Sequence, residues 1–184
     1  MKCCFLERSF LLFVAAVMLL FGGVNDVNGD PLKYKIEGNE VAVVGCDSWA
    51  EGEVVIPSRL KGKPVTSIAS KAFTGSNSVT SVTIPDSVTS IEHSAFYASS
   101  SLTSVTIPDS VTSIGRHAFA SCRSLTSVTI PDSVTSIESA TFLFCSSLTS
   151  VTIPDSVITI KGSAFSRCNK LTSVTIPDSV TTIE

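Results

Sequence analysis

Charge is scarce in this 184-residue chain: Asp, Glu, Lys and Arg make up only 16% of it, against about 25% in ordinary globular domains. With 43% hydrophobic residues, that shortage excludes an intrinsically disordered polyampholyte. There is no basic surplus either. Thirteen Lys+Arg against sixteen Asp+Glu, a net charge of −3, leave nothing from which to build a phosphate-neutralising stripe, so nucleic acid is not an expected partner. The longest apolar run, Phe10 to Phe21, is twelve residues, well short of the ~20 that a membrane-spanning helix needs. No nucleophile–base pair, phosphate-binding loop or acid pair stands out, so neither an enzyme nor a cofactor is expected. The length suits one domain of ordinary size.

What is present begins with an export signal. Lys2 and Arg8 precede the apolar run, and Gly22, Gly23 and a polar stretch ending Val27-Asn28-Gly29-Asp30 follow it. That is the layout of a secretory signal peptide over residues 1–29, with cleavage after Gly29. An uncleaved anchor is the competing reading. A bacterial lipid anchor is excluded, because Cys3 and Cys4 lie before the apolar run rather than after it. Removing residues 1–29 leaves the net charge at −3 and a part expected to be soluble, either secreted or at the cell surface.

Beyond the signal, one phrase recurs at a step of 23 residues: Leu-Thr-Ser-Val-Thr-Ile-Pro-Asp-Ser-Val-Thr-Ser-Ile, beginning at Val79, Leu102, Leu125, Leu148 and Leu171. Ile84, Ile107, Ile130, Ile153 and Ile176 fall in one column, and Phe73, Phe96, Phe119, Phe142 and Phe165 in another. A coil of this size cannot bury its apolar side alone and must stack on its neighbours, which predicts a solenoid. Each coil lays one short parallel strand beside the last, with Val105 and Ile107 inward and Ser104 and Thr106 outward, as a strand's period of two requires. Pro108 ends the strand by removing a donor. Asp109 and Ser110 turn the chain by side-chain hydrogen bonds to the backbone.

The pattern Leu102-x-x-Val105-x-Ile107-Pro108-x-x-Val111-x-x-Ile114-x-x-x-Ala118-Phe119-x-x-Cys122 resembles the 23-residue repeat of the BspA-like, or Treponema pallidum type, leucine-rich-repeat proteins. The resemblance covers about residues 51–184. It implies a repeat solenoid of the α/β horseshoe class, mostly short parallel strands with turn or short-helix returns, on a surface or secreted protein. Adhesion to host proteins or other cells is the role usually proposed for that family.

Three further boundaries follow. Leu32–Ile36 and Glu40–Val44 alternate around Gly38-Asn39 and read as a β-hairpin, so residues 30–53 form an N-terminal cap covering the first coil. Residues 54–184 are the solenoid: one degenerate repeat widened by Arg59–Pro64, four full repeats and one partial. No cap follows at the C-terminus. Either the chain is part of a longer reading frame, the favoured reading, or its open edge at Leu171 to Ile176 pairs with another copy by strand addition.

Cys122, Cys145 and Cys168 share a column with Ser99 and are expected as buried free thiols packing as small hydrophobes. A disulfide between adjacent coils is sterically conceivable, but parallel side-chain vectors argue against it. No metal is expected: His93 and His117 sit one slot out of register, and neither belongs to a Cys-x-x-Cys pair. The column Asp86, Asp109, Asp132, Asp155 and Asp178 is read as turn-forming. Neighbouring carboxylates ~5 Å apart in water repel by only ~0.8 kcal/mol, which a turn hydrogen bond of ~1 kcal/mol offsets.

The candidate binding residues are Ser104, Thr106, Ser127, Thr129, Ser150 and Thr152 on the outward strand face, and Phe144 on the return side. The strand face lacks the Trp, Tyr and Arg of protein hot spots, which suits a polymeric, low-affinity partner. It resembles an ice-binding array less well, because serine fills one of its two columns. The return side varies from coil to coil around Tyr97, Arg123, Leu143-Phe144 and Arg167, and Phe144 would be its most exposed anchor. The expected function is an exported binding or adhesion module for a protein or polysaccharide surface; a self-associating structural element is the alternative.

Overall fold

A computed structural model describes residues 30–184. The signal-peptide reading of residues 1–29 lies outside the described residues. The strands are β1 (Leu32–Glu37), β2 (Glu40–Cys46), β3 (Gly52–Val55), β4 (Arg59–Leu60), β5 (Lys63–Ile68), β6 (Val79–Thr83), β7 (Ser90–Ile91), β8 (Ser104–Thr106), β9 (Ser113–Ile114), β10 (Ser127–Thr129), β11 (Ser136–Ile137), β12 (Ser150–Thr152), β13 (Thr159–Ile160) and β14 (Thr182–Ile183). They form a β-solenoid of 23-residue coils. β1 and β2 make an antiparallel hairpin, and β2 then pairs parallel with β5. The hairpin is thus hydrogen-bonded into the stack as its first layer. The widened turn of the first coil is a second small hairpin, β4 against β5, closed by Lys61 and Gly62 at φ 52° and 77°.

Each coil is bonded to its neighbours on three sides. The first ladder runs β3, β6, β8 and then β10, β12; the second runs β2, β5, β7, β9 and then β11, β13, β14. Pairing is in register at one repeat per coil, Val82 against Val105 and Ile91 against Ile114. Between the two ladders the chain turns at Pro-Asp-Ser-Val, where the valine N–H donates to the proline carbonyl, as from Val111 to Pro108 at 3.0 Å.

The third ladder is the return side, and it is built from turns; no helix occurs among the described residues. Its backbone explains why. The N–H groups of Lys71, Phe73 and Gly75 donate to the carbonyls of His93, Ala95 and Tyr97 in the next coil, while Ala72, Thr74 and Ser76 close turns within their own coil. A helix would direct every N–H along its own axis and leave none for the neighbour. The alternation needs left-handed residues in two columns: Lys71, Ser94, His117, Ala140 and Ser163, and then Gly75, Ala98, Ser121, Phe144 and Arg167.

The interior is filled by columns of identical side chains. Phe73, Phe96, Phe119, Phe142 and Phe165 stack face to face with centroids 4.8, 5.1, 5.6 and 5.5 Å apart. Val82, Val105 and Val128, with the isoleucines two residues on, are buried beneath the first ladder. Four short hydrogen bonds tie the thiol column to the phenylalanine column: Ser99 Oγ donates to Phe73 O at 2.6 Å, and Cys122, Cys145 and Cys168 donate to the carbonyls of Phe96, Phe119 and Phe142 at 3.0–3.1 Å. All three cysteines are free and buried, as the column reading expects.

Two features differ from the sequence reading. The last repeat's Leu171–Ile176 is not a strand, although Thr182–Ile183 in the same repeat still pairs with the coil before it, and Ile176 is exposed. The edge expected for strand addition is therefore not formed there. Second, the strand pairing is interrupted between β8 and β10 and between β9 and β11. At that step Thr126 N–H to Thr103 O at 3.2 Å persists on the first ladder, and the return ladder continues unbroken from His117, Phe119 and Ser121.

Candidate binding faces

The outward face of the first ladder carries parallel columns of hydroxyls with different bonding. Thr103, Thr126 and Thr149 donate their hydroxyls to the carbonyls of Thr80, Thr103 and Thr126 in the preceding coil, at 2.9–3.2 Å. Those hydroxyls are engaged in holding the stack. The next columns are not: Ser104, Thr106, Ser127, Thr129, Ser150 and Thr152 are exposed, and among the described residues their hydroxyls have no intrachain partner. Ser127 pairs with Ser150 and Thr129 with Thr152 in register, and Ser104 and Thr106 pair with Ser81 and Thr83. The structure thus brings the six predicted hydroxyls onto one face in two blocks, divided at the interruption between β8 and β10.

The turn edge corrects the expected role of aspartate. The side chains that bond the turn to the backbone are serines reaching into the preceding coil: Ser110 to Val88 O at 2.7 Å, Ser156 to Val134 O at 2.8 Å and Ser179 to Val157 O at 2.9 Å. Asp86, Asp109, Asp132, Asp155 and Asp178 are exposed, and among the described residues their carboxylates take no hydrogen bond or ion pair. The proline carbonyl already accepts the turn's closing N–H, so the aspartate at the second position of the turn points to solvent. Among the described residues no three His, Cys, Asp or Glu side chains converge as a metal site.

Phe144 lies on the return side, well away from the strand face in sequence column, with 46% of its surface exposed. Tyr97, in the adjoining column, is 42% exposed. Sequence reasoning noted Tyr97 only as a point of variation, and it missed that Phe144 has a left-handed backbone, φ 61°. The column step from Gly75 to Phe144 was the available signal. Elsewhere on this side Lys161 bridges both carboxylate oxygens of Glu138 at 2.8 and 2.9 Å, and that hydrogen bond holds the Glu138 carboxyl below its ordinary range. His93 and His117, although one slot out of register, meet edge to face with centroids 5.8 Å apart. The His117 Nδ1 is buried without a partner, and burial, then Arg116 and His93, hold its pKa down. The imidazole is therefore neutral at physiological pH.

Comparison with known proteins places this geometry. The solved leucine-rich-repeat protein of T. pallidum is similar over 86% of this chain and 86% of its own, at 27% identity and a TM-score of 0.69. A leucine-rich cell surface protein of Faecalibacterium prausnitzii is 32% identical over 89% of this chain, with a TM-score of 0.64; this chain spans 51% of that one. The pneumococcal vaccine antigen PcpA shares the fold at 23% identity, a TM-score of 0.67, 87% of this chain and 46% of its own. No curated protein sequence matches. Six copies of the pattern described as BspA type leucine-rich repeat region match residues 66–184, well over half the chain, and the protein belongs to that family.

Proposed function

We propose that the protein is an exported attachment module that lies along an extended, repetitive partner, a polysaccharide or a fibrous protein, through the open strand face. The carrying observation is the run of exposed hydroxyls without intrachain partners on one face, Ser127 and Thr129 paired in register with Ser150 and Thr152, and Ser104 and Thr106 in the block before the interruption. Uncharged donors and acceptors at one-coil intervals make many weak contacts whose sum rises with the number of coils engaged. The face has no aromatic or arginine anchor for a single compact protein. The cell-surface description of the F. prausnitzii relative supports an extracellular setting. Binding rather than catalysis is the role that fits, since the repeated polar groups are hydroxyls and lone aspartates.

The test is retention of the protein on cellulose and chitin particles and on collagen-coated surfaces. Retention on at least one is expected, and it should be lost in the Thr106→Lys, Thr129→Lys, Thr152→Lys variant. Retention on none, or retention unchanged by the three lysines, overturns the assignment. Self-association through the C-terminal coil is the second reading, favoured by the exposure of Ile176 and Ile183. Sedimentation velocity over a range of concentrations reads it directly: a chain that stays monomeric rejects it.

A further inference from the structure

The three ladders are not equally continuous. Between the coil of residues 102–124 and that of residues 125–147 both strand ladders are interrupted, while the return ladder is not. On the second ladder an ordinary step is closed by two backbone bonds that flank the short strands. Thr112 N–H donates to Thr89 O at 2.9 Å and Gly115 N–H to Ile91 O at 2.8 Å; beyond the interruption Ile158 donates to Thr135 O at 2.8 Å and Lys161 to Ile137 O at 2.9 Å. The equivalent groups at the interruption are the N–H of Thr135 and of Glu138, and among the described residues neither makes a backbone bond to the preceding coil. The first ladder is loosened at the same step. Its bond from Thr126 N–H to Thr103 O is 3.2 Å, against 2.8 Å at Thr103 and 2.9 Å at Thr149. The turn has slipped as well: Ser110 and Ser156 reach valine carbonyls of the coil before, whereas Ser133 donates to Asp109 O at 2.6 Å, two residues short of the equivalent Val111.

The return side crosses this step intact. His117, Phe119 and Ser121 donate to Ser139, Thr141 and Leu143 O at 3.1, 2.9 and 2.7 Å, Cys145 Sγ donates to Phe119 O at 3.1 Å, and the rings of Phe119 and Phe142 lie within 5° of parallel. Gly115 supplies a reason for the asymmetry. It stands where the other coils carry Glu92, Glu138 and Lys161, and a Cβ there would strike the backbone of Glu92 and His93. Without one, the coil of residues 102–124 settles onto the coil before it. That draws Ile114 O, the acceptor that Glu138 N–H would use, away from the coil after it.

We propose that this step is a hinge, at which the residues up to 124 and those from 125 onward pivot as two blocks about the return ladder while the second ladder opens and closes. A joint held along one line and slack along the others has one easy motion, rotation about that line. At the neighbouring steps the same bend would break the ladder bonds listed for Thr112 and Gly115 or for Ile158 and Lys161. The pivot changes the angle between the hydroxyls of Ser104 and Thr106 and those of Ser127 and Thr129, so the strand face can follow partners of different curvature. The hinge goes beyond the attachment reading and needs no ligand to be observed; its failure would leave that reading untouched.

The test is the distribution of distances between two nitroxide labels, measured by double electron–electron resonance on the full chain carrying Cys46→Ser. Cys122, Cys145 and Cys168 are buried and stay unlabelled. One labelled pair, Thr66→Cys with Ile158→Cys, lies along the second ladder; the other, Thr74→Cys with Ser166→Cys, joins the same two coils along the return side. Each pair spans the hinge and, at ~4.8 Å a coil, about 20 Å. The second-ladder distribution should be about twofold broader or more, with its excess at long distances, and the return-side one narrow. Equal widths overturn the proposal, and so does breadth in both pairs, which would mean that the coils part altogether. Hydrogen exchange on the unsubstituted chain locates the motion without any label. The amides of Thr135 and Glu138 should exchange about tenfold or more faster than those of Thr112, Gly115, Ile158 and Lys161, while Phe119 stays as protected as Phe96 and Phe142. Protection of Thr135 and Glu138 equal to their counterparts, or fast exchange shared by Phe119, overturns the hinge.

Discussion

The strand side and the return side of each coil solve the same stacking problem by different means. On the strand side, β-branched residues and threonine take up extended backbone readily, every coil repeats the same residues, and stacking is continued by hydroxyls such as Thr126 that reinforce the backbone ladder. On the return side the ladder depends on alternate left-handed residues, which no L side chain favours. Residue identity is free there provided the backbone is held, and Gly75, Ala98, Ser121, Phe144 and Arg167 all occupy one column. The strand side gains uniformity and the return side gains variability. A chain with both can carry a repeated contact surface and an individual one on the same coil.

The largest expected effect comes from the column that joins the two sides. Phe119 is fully buried, with Phe96 and Phe142 stacked on it at 5.1 and 5.6 Å, so Phe119→Ala should cost about 3–5 kcal/mol in denaturant unfolding. Phe165, at the end of the stack and only partly buried, should cost clearly less. Equal losses at both positions would mean that the ring stack is not what couples the coils.

Next come the thiols, which bond the phenylalanine carbonyls. Burial pushes Cys122 up to about 12 and raises Cys145 and Cys168 as well, while an unfolded thiol titrates near ~8.5. The folded value is the higher one, so this contribution is fully present below pH ~8.5 and is lost as pH rises toward the folded value. At about pH 10 the loss should reach ~2 kcal/mol for each of the deeply buried pair, Cys122 and Cys145. Replacing all three by serine should remove that pH dependence, because Ser99 already makes the same bond at 2.6 Å. Urea midpoints at neutral and alkaline pH measure it; an unchanged alkaline loss in the serine variant would place the titration elsewhere.

Much of this was legible in the residues because the repeat is nearly verbatim where it matters for stacking. The Val105, Ile107 and Phe119 columns declare what is buried, and Ser104 and Thr106 declare the opposite face. Three things were not legible. Pro-Asp-Ser-Val makes a turn either way, and only the position of the Pro108 carbonyl shows that Ser110, not Asp109, holds the neighbouring coil. The left-handed columns leave Gly75 as their one residue-type signature, since Lys71, His117 and Phe144 occupy equivalent positions elsewhere. The interruption between β8 and β10 falls in the same Ser-Val-Thr phrase that pairs normally one coil on either side.

Two glycines sharpen the return-side half of the comparison. A methyl group on Gly115 would meet the His93 nitrogen at 2.6 Å and the Glu92 carbonyl carbon at 2.7 Å, whereas one on Gly162 would meet nothing within 4 Å. Gly115→Ala forces backbone against backbone and should cost about 1–3 kcal/mol. Gly162→Ala should be neutral or stabilising by up to ~1 kcal/mol, because it restricts the unfolded chain. If the two substitutions cost the same, the coils are not in close approach at Gly115.

The smallest effect bears most directly on function. Phe144 sits where its own column elsewhere accepts glycine, alanine, serine or arginine, and a left-handed L residue costs roughly 1–2 kcal/mol. Glycine removes that cost but gives back roughly 0.5–1 kcal/mol in chain entropy. Phe144→Gly should therefore raise stability by about 0.5–1 kcal/mol in urea unfolding, even though it deletes a large apolar side chain. A fold selected for stability alone would carry that glycine. A gain in stability would show the exposed ring retained at the expense of the fold, whereas a loss of stability would mean that the half-exposed ring packs on the coil and serves the solenoid instead.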